Sequence, residues 1–339
     1  MIYVAPDSLL EVVVSETLEM TNRQLMHVHG HTIMELELLL QDACDLFDEV
    51  VKLESNALGG WSNINIRGHS DEIDFVLKLP STISSHSIQP YKKLYNICLF
   101  LNHHGIAPQP LSFGRLSDSA ETPFIIFEYV RGHIHETLAE FSSNEIEALK
   151  ECLQILAQQK PPGFKRYNSA SDYLLTAHAL VENHEGFHKS SQELHDLINS
   201  FVRLYPEVLS YTNSLDEWSQ SLMHGDLWVP NIVLQSGKVI LLDFENASYG
   251  CQQYDIAYLF EAPSNTPEEQ PLGLLSPHEV DEVNSLRPLA LAYIIEWSLE
   301  RLLSVESKLI EPNLATRDSW LAVVGYTRSK ISRLKSLLL

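Results

Sequence analysis

Apolar residues recur at helical spacing through 32–49 (TIMELELLLQDACDLFDE), and a short extended run, Val50–Glu54, follows. At 63–67 (NINIR) and 73–80 (IDFVLKLP) apolar positions alternate or run together around a polar turn, Gly68–Glu72, which predicts a β-hairpin. A helix is expected from Pro90 to Leu101. Leu111–Leu116 and PFIIFEYV (123–130) predict two further strands, with Gly132 ending the second. Beyond that point the pattern is mainly helical. The exception is Met223–Phe244, where NIVL, a Ser236–Gly237 turn and KVILLDF predict a second small hairpin. A strand-rich half followed by a helix-rich half is an α+β layout, not the alternating βαβ of a doubly wound sheet. There is no internal repeat or low-complexity tract.

Composition narrows the class. The 339 residues suffice for one large or two modest cores. Forty-five acidic against 23 basic residues, a net charge of −22, argue against a nucleic-acid partner, because phosphate-backbone affinity rests on clustered Lys and Arg. Cys44, Cys98, Cys152 and Cys251 show no CxxC spacing and sit mostly in apolar runs, as reduced core thiols do. The first residues, MIYVAPDSLLEVVVSE, lack a basic segment followed by a long apolar one, and no later stretch reaches the ~18 apolar residues of a membrane helix. A cytoplasmic protein with no membrane partner is the expectation.

The densest chemistry lies in HGDLWVPN (His224–Asn231), followed after a hairpin-length gap by Asp243 in LLDFE. Phosphoryl transfer to an alcohol needs a carboxylate beside the attacking oxygen and further oxygen ligands that keep Mg2+ on the nucleotide phosphates. Asp226 suits the first task, Asn231 and Asp243 the second, and a hairpin between them returns the chain to one ion. Taken alone, an aspartate in HGD is usually a loop cap, and Asp226 gains its reading from the whole constellation. The order Asp, five residues on Asn, then Asp ending an apolar strand is that of a kinase catalytic loop and its metal-binding aspartate.

HGDLWVPN with LLDFE resembles the aminoglycoside phosphotransferase and choline kinase superfamily. HGDLW is also similar to fructosamine kinases, and DFE to choline and ethanolamine kinases. The resemblance implies a bilobal, protein-kinase-like fold with a small antiparallel-sheet N-lobe and a larger helical C-lobe. It also implies ATP or GTP with Mg2+ as cofactors, Asp226 as catalytic base and Asn231 and Asp243 as metal ligands. His224, Glu245 and Asp255 match positions that hold the loop in shape. The partner implied is a small-molecule alcohol such as an amino alcohol or amino sugar. Two domains are expected: residues 1–130, a nucleotide-binding N-lobe with a helical extension, and 131–339, a C-lobe with the catalytic loop.

Two weaker signals concern the nucleotide. In GGWSNINIR, Gly60 allows backbone to close over phosphates, and Ser62 and Asn63 can add donors, although a Gly-Gly pair is also an ordinary turn. Lys78 is a lone charge in the apolar strand FVLKLP, where burial demands an anionic partner unless the side chain snorkels from an edge. The superfamily has a similar GG-x-SN loop and a strand lysine that touches the α- and β-phosphates. PFIIFEYVRG resembles the hinge between kinase lobes, which implies backbone pairing of Glu128 and Val130 with adenine; read alone, it is equally a core strand and a turn.

One departure stands out. Kinases pair the strand lysine with a glutamate on the next helix. No Asp or Glu lies between Lys78 and His104, and near Lys93 and Leu94 the chain reads YKKLYN. That sustains an alternative, a catalytically impaired kinase-like binding protein. HVHGH (27–31) offers three histidines for a metal or a polar loop before a helix. Tyr293, Glu296, Trp297 and Glu300 share helical spacing and fit either a cation-binding patch or a packed Trp297 beside a solvated acidic face. His133 and His135 border a loop and are expected to be solvated.

Overall fold

The structure is a computed structural model and describes residues 27–44, 46–47, 51–57, 63–82, 87–174, 190–215, 218–263, 273–310 and 314–338, with backbone alone at 55–57. The chain divides into two compact units. The first comprises Met1–Tyr95, Gln109–Tyr129 and Ile310–Leu314; the second comprises Asn96–Pro108, Val130–Leu309 and Ala315–Leu339.

In the first unit, HVHGHT is a small antiparallel hairpin of β1 (His27–Val28) and β2 (His31–Thr32), not the polar loop that its letters allow. His29 Nε2 donates to the Pro80 carbonyl (2.8 Å) and His31 faces Asp118 (3.6 Å). Among the described residues no three His, Cys, Asp or Glu side chains converge as a metal site. Helix α1 (Ile33–Ala43) is capped reciprocally. The Thr32 hydroxyl takes the Glu35 amide (3.3 Å), and the Glu35 carboxylate takes the Thr32 amide (2.8 Å). The helix ends sooner than the periodicity suggests, at an extended Cys44, and Cys44 and Phe47 both lie in the core.

The sheet runs β3 (Lys52–Ala57), β4 (Asn63–His69), β5 (Asp74–Pro80), then β7 (Pro123–Glu128) and β6 (Pro110–Arg115), every neighbour antiparallel. Helix α2 (Gln89–Asn102) lies between β5 and β6 in sequence, and the unit boundary falls within it. Period-two alternation sorts the sheet's faces. Ile64, Ile66, Phe75, Leu77, Leu79, Phe124 and Ile126 join Ile33, Leu36 and Leu40 of α1 in one core. Each such fully buried aliphatic contributes about 1.5–3 kcal/mol. The opposite face carries Lys78 with its cross-strand partners Asn65 and Ile125.

The second unit is mainly helical: α3 (Ser143–Gln158), α4 (Ala170–Leu174), α5 (Gln192–Asn213), α6 (Gln252–Glu261), α7 (Pro277–Glu306) and α8 (Arg317–Leu338). Its strands pair as β8 (Ser221–Met223) with β11 (Ser248–Gly250), and β9 (Ile232–Gln235) with β10 (Lys238–Leu241). The β9–β10 turn has Ser236 at φ 49° and Gly237 at φ 80°, the left-handed pair that a two-residue hairpin turn requires. Consecutive buried residues Leu289–Ala292 mark α7 as a central helix with little solvent face. For that reason Glu296 is buried rather than part of a solvated acidic stripe, while Trp297 is half-buried. His135 also departs from expectation: its ring meets His133 (3.2 Å), Glu140 (3.3 Å) and Glu145 (3.4 Å). All four cysteines are free and buried. Among the described residues no helix is long and apolar enough to cross a membrane.

Candidate active site

The HGDLWVPN segment follows β8, and the β8–β11 pair closes the base of the loop that it opens. Gly225 has φ 80°, and a Cβ there would lie 2.4 Å from the Asn246 carbonyl, so both conformation and close approach require glycine. Trp228 leads into a single 3-10 turn, Val229–Asn231, and β9 begins at the next residue.

Four hydrogen bonds close a ring through this loop. The Asp226 amide donates to His224 Nδ1 (3.3 Å). His224 Nε2 lies 2.7 Å from the Leu242 carbonyl. The Leu242 amide donates to the Asn231 carbonyl (2.8 Å). Asn231 Nδ2 donates to the Asp226 carbonyl (3.0 Å). A carbonyl can only accept and an amide can only donate, so His224 is neutral with its proton on Nε2. Burial agrees, pushing the imidazole down to about 4 against the Leu242 hydrogen bond and the neighbouring Asp243 charge. The ring therefore ties Asp226 and Asn231 to Leu242, which immediately precedes Asp243. Asp243 itself has φ 66° and ψ 61°. That left-handed conformation is uncommon outside glycine and is a form of strain concentrated at functional sites.

Helix α6 anchors the ring. The Asp255 carboxylate, fully buried, takes the amides of His224 (2.7 Å) and Gly225 (2.8 Å). Burial raises this carboxyl to about 7, with the two amides pulling the other way. One turn on, Tyr258 is buried, and burial, then the Asp226 charge, hold its phenol well above the usual range.

Of the residues singled out for the nucleotide, Gly60 and Ser62 lie outside the described residues. Asn63 and Lys78 are both buried, at 8% and 4% exposure, and Lys78 stands on β5 between β4 and β7. A central strand excludes snorkelling from an edge. The Tyr91 hydroxyl donates to Asn63 Oδ1 (3.4 Å). Lys93, at the position where an acid is usual, has its ammonium lowered by burial. Glu128 ends β7 with an exposed side chain, and its amide donates to the Gln109 carbonyl (2.9 Å). Val130 is half-buried at the start of the second unit.

A five-stranded antiparallel sheet in one unit, and a helical second unit with a cross-tied Asp-x4-Asn loop and a following Asp, define a kinase-like phosphotransferase. The model of the phosphotransferase enzyme family matches residues 55–288, well over half of the chain, and the chain belongs to that family. It is accordingly a phosphotransferase with an alcohol group as acceptor.

Solved structures agree on the fold. A spectinomycin phosphotransferase, solved with ADP and spectinomycin, is 10% identical with a TM-score of 0.58, over 90% of this chain and 98% of that one. A choline/ethanolamine kinase family protein from Mesorhizobium loti is 14% identical at 0.58, over 90% and 95%. An ethanolamine kinase of Plasmodium vivax is 15% identical at 0.58, over 85% and 83%. No curated protein matches the sequence.

Proposed function

We propose that this protein moves the γ-phosphate of ATP or GTP to a hydroxyl of a small molecule, with Asp226 as base. The observation that supports the reading most is the hydrogen-bonded ring that joins Asp226 and Asn231 to the residue preceding Asp243. In this reading Asp226 accepts the proton of the acceptor alcohol as its oxygen bonds to phosphorus and the bond to the leaving diphosphate breaks. Holding the carboxylate in one place lowers the entropic cost of that encounter. The ring also suits a hard cation. Asn231 spends its amide nitrogen on Asp226, which leaves Oδ1, and Asp243 supplies a carboxylate, both oxygen donors of the kind Mg2+ prefers. When bound, Mg2+ would neutralise charge on the phosphates.

Lys78, with Gly60, Ser62 and Asn63, takes the nucleotide's phosphates in this reading. The Glu128 amide is already given to Gln109, so Glu128 offers adenine its carbonyl, and the amide contact falls to Val130. The acceptor class is an amino alcohol, amino sugar or related metabolite. Relatives of this fold include proteins named for spectinomycin and for ethanolamine. ADP release in the presence of ATP, magnesium and a panel of such alcohols tests the reading, which expects acceptor- and magnesium-dependent turnover. No release with any alcohol, from protein that binds nucleotide, would favour a second reading.

That second reading is a kinase-like protein that binds nucleotide without transferring phosphate. It draws on the absence of any Asp or Glu in α2 (Gln89–Asn102) and on Lys93 in its place. Thermal shift with ATP and magnesium reports binding in either case, since a ligand of the folded state alone raises its stability.

A further inference from the structure

Helix α6, which carries Asp255, is held unequally at its two ends. At its start Cys251 is the N-cap and makes no side-chain cap hydrogen bond. At its end one ridge of α8 takes three successive residues. The Tyr326 hydroxyl donates to the Ala262 carbonyl (2.8 Å). Lys330 Nζ donates to the carbonyls of Glu261 and Pro263, the second at 2.6 Å. Arg333 meets the Glu261 carboxylate (3.3 Å), which Arg287 of α7 also reaches (2.5 Å). Residues 326, 330 and 333 are spaced four and then three apart, so their side chains leave one face of α8. The last carbonyls of a helix lack intrahelical partners and form its negative dipole end, and an ammonium there answers both needs. Here that cap comes from another helix, 69 residues along the chain from Glu261. Lys330 is 3% exposed, and burial pulls its ammonium down to about 8 with the Glu261 charge opposing. A buried cation is costly, and the hydrogen bonds that offset the cost go to the end of α6.

We propose that Lys330 is a positioning residue for phosphoryl transfer: by capping α6 it fixes where Asp255 stands, and through Asp255 it fixes the backbone of the catalytic loop. This role rests on the reading of that loop as the site of transfer. Every link of the route is a contact on one rigid element. Asp255 lies six residues before Glu261, about 9 Å along the axis at the rise of an α-helix. Its carboxylate takes the His224 and Gly225 amides at 2.7 and 2.8 Å, and the next residue is Asp226. Residues Tyr254 to Glu261 are all buried, so α6 is packed on every side and moves, if at all, along its own axis. A slide of about 1 Å would carry Asp255 and the two amides with it, and a displacement of that size at a reacting group costs up to about a hundredfold in rate. Lys330 opposes such a slide at the one end of α6 that has side-chain caps.

The test sets Lys330→Met beside Thr327→Val. Thr327 is also fully buried on α8, but its hydroxyl meets the Val323 carbonyl (2.7 Å) and Ser298 of α7 (3.0 Å) rather than α6. Both variants should lower the Tm, so a general loss of stability is common to them. Lys330→Met alone is expected to lower kcat about tenfold and to speed hydrogen exchange at the His224 and Gly225 amides about tenfold, with nucleotide KM changed less than about threefold. Thr327→Val should leave kcat and those two amides at wild-type values. Wild-type kcat, or wild-type exchange at the two amides, in folded Lys330→Met overturns the proposal. Equal losses in the two variants also overturn it, since they would make Lys330 merely structural. Should Lys330→Met not fold, Tyr326→Phe removes only the Ala262 contact: about a threefold loss of kcat with faster exchange at the same amides is expected, and wild-type values overturn the proposal. Exchange is read without substrate, so wild-type exchange defeats this role alone, whereas wild-type turnover in Asp226→Ala defeats the base assignment.

Discussion

The catalytic loop and the lysine-bearing face of the sheet organise polar groups in opposite ways. In the loop, His224, Asn231 and Asp255 each spend side-chain atoms on neighbouring backbone, so its shape is set by local, enumerable bonds. On the sheet, strand register sets where Lys78 stands, through its pairing with Asn65 and Ile125, and the helix that follows brings no acid. The loop is thus a self-supporting device whose letters cannot vary independently. On the sheet face the lysine's place is set by strand register, which many sequences satisfy. A family signature concentrates in the first kind of structure and fades in the second.

The largest effect should come from breaking the loop's chemistry. Asp226→Ala is expected to reduce turnover by about a hundred- to ten-thousandfold, the worth of general-base assistance, while nucleotide still raises the Tm. Steady-state kinetics and thermal shift on one preparation measure both quantities.

Next is the loop's support, read through pH. Between pH 4 and 6.5 an unfolded chain binds a proton on His224 that the folded chain, with its imidazole near 4, does not, so this residue makes stability rise with pH. Asp255 acts in the opposite sense. Its folded carboxyl, near 7, keeps a proton that the unfolded one releases near 3.8, so its contribution falls as pH rises across that window. The two slopes offset each other in the wild type. Asp255→Asn removes one of them, and urea unfolding should show that variant's stability climbing more steeply from pH 4 to 6.5 than the wild type's. A flat profile would mean that His224 is not held neutral by burial.

On the sheet, Lys78→Met should weaken nucleotide affinity by about ten- to hundredfold, the worth of one charged hydrogen bond, and leave Tm within a few degrees. Direct titration with nucleotide distinguishes this from unfolding. The smallest effect is expected at Glu128, whose side chain is exposed and whose proposed contact is through backbone. Glu128→Ala should change nucleotide KM by less than about twofold, in line with surface substitutions that remove no buried partner.

The same contrast explains what was legible in the sequence. Strands β4, β5, β6 and β7 and the β9–β10 hairpin follow from alternation and turn residues, because one face of each is buried and period two is enforced. The β8–β11 pair escaped notice: each strand has three residues, too short for any periodicity, and they are brought together by the fold and not by a turn. Helix α1 stops at Ala43 although apolar spacing continues, since Cys44 is extended and both Cys44 and Phe47 serve the same core. At the site, Asp226, Asn231 and Asp243 stand out in a single line of text, and the ring that joins them is visible only in three dimensions. The buried Glu296 could not be foreseen from helical periodicity, because α7 is surrounded and has no single apolar stripe.

The central claim concerns the fate of one phosphoryl group. With ATP labelled at the γ-position, magnesium and an acceptor alcohol that supports ADP release, the account predicts label in a phosphate ester of that alcohol, equimolar with ADP and lost in Asp226→Ala. Label recovered only as inorganic phosphate, or ester formed equally well by the Asp226→Ala protein, would contradict it.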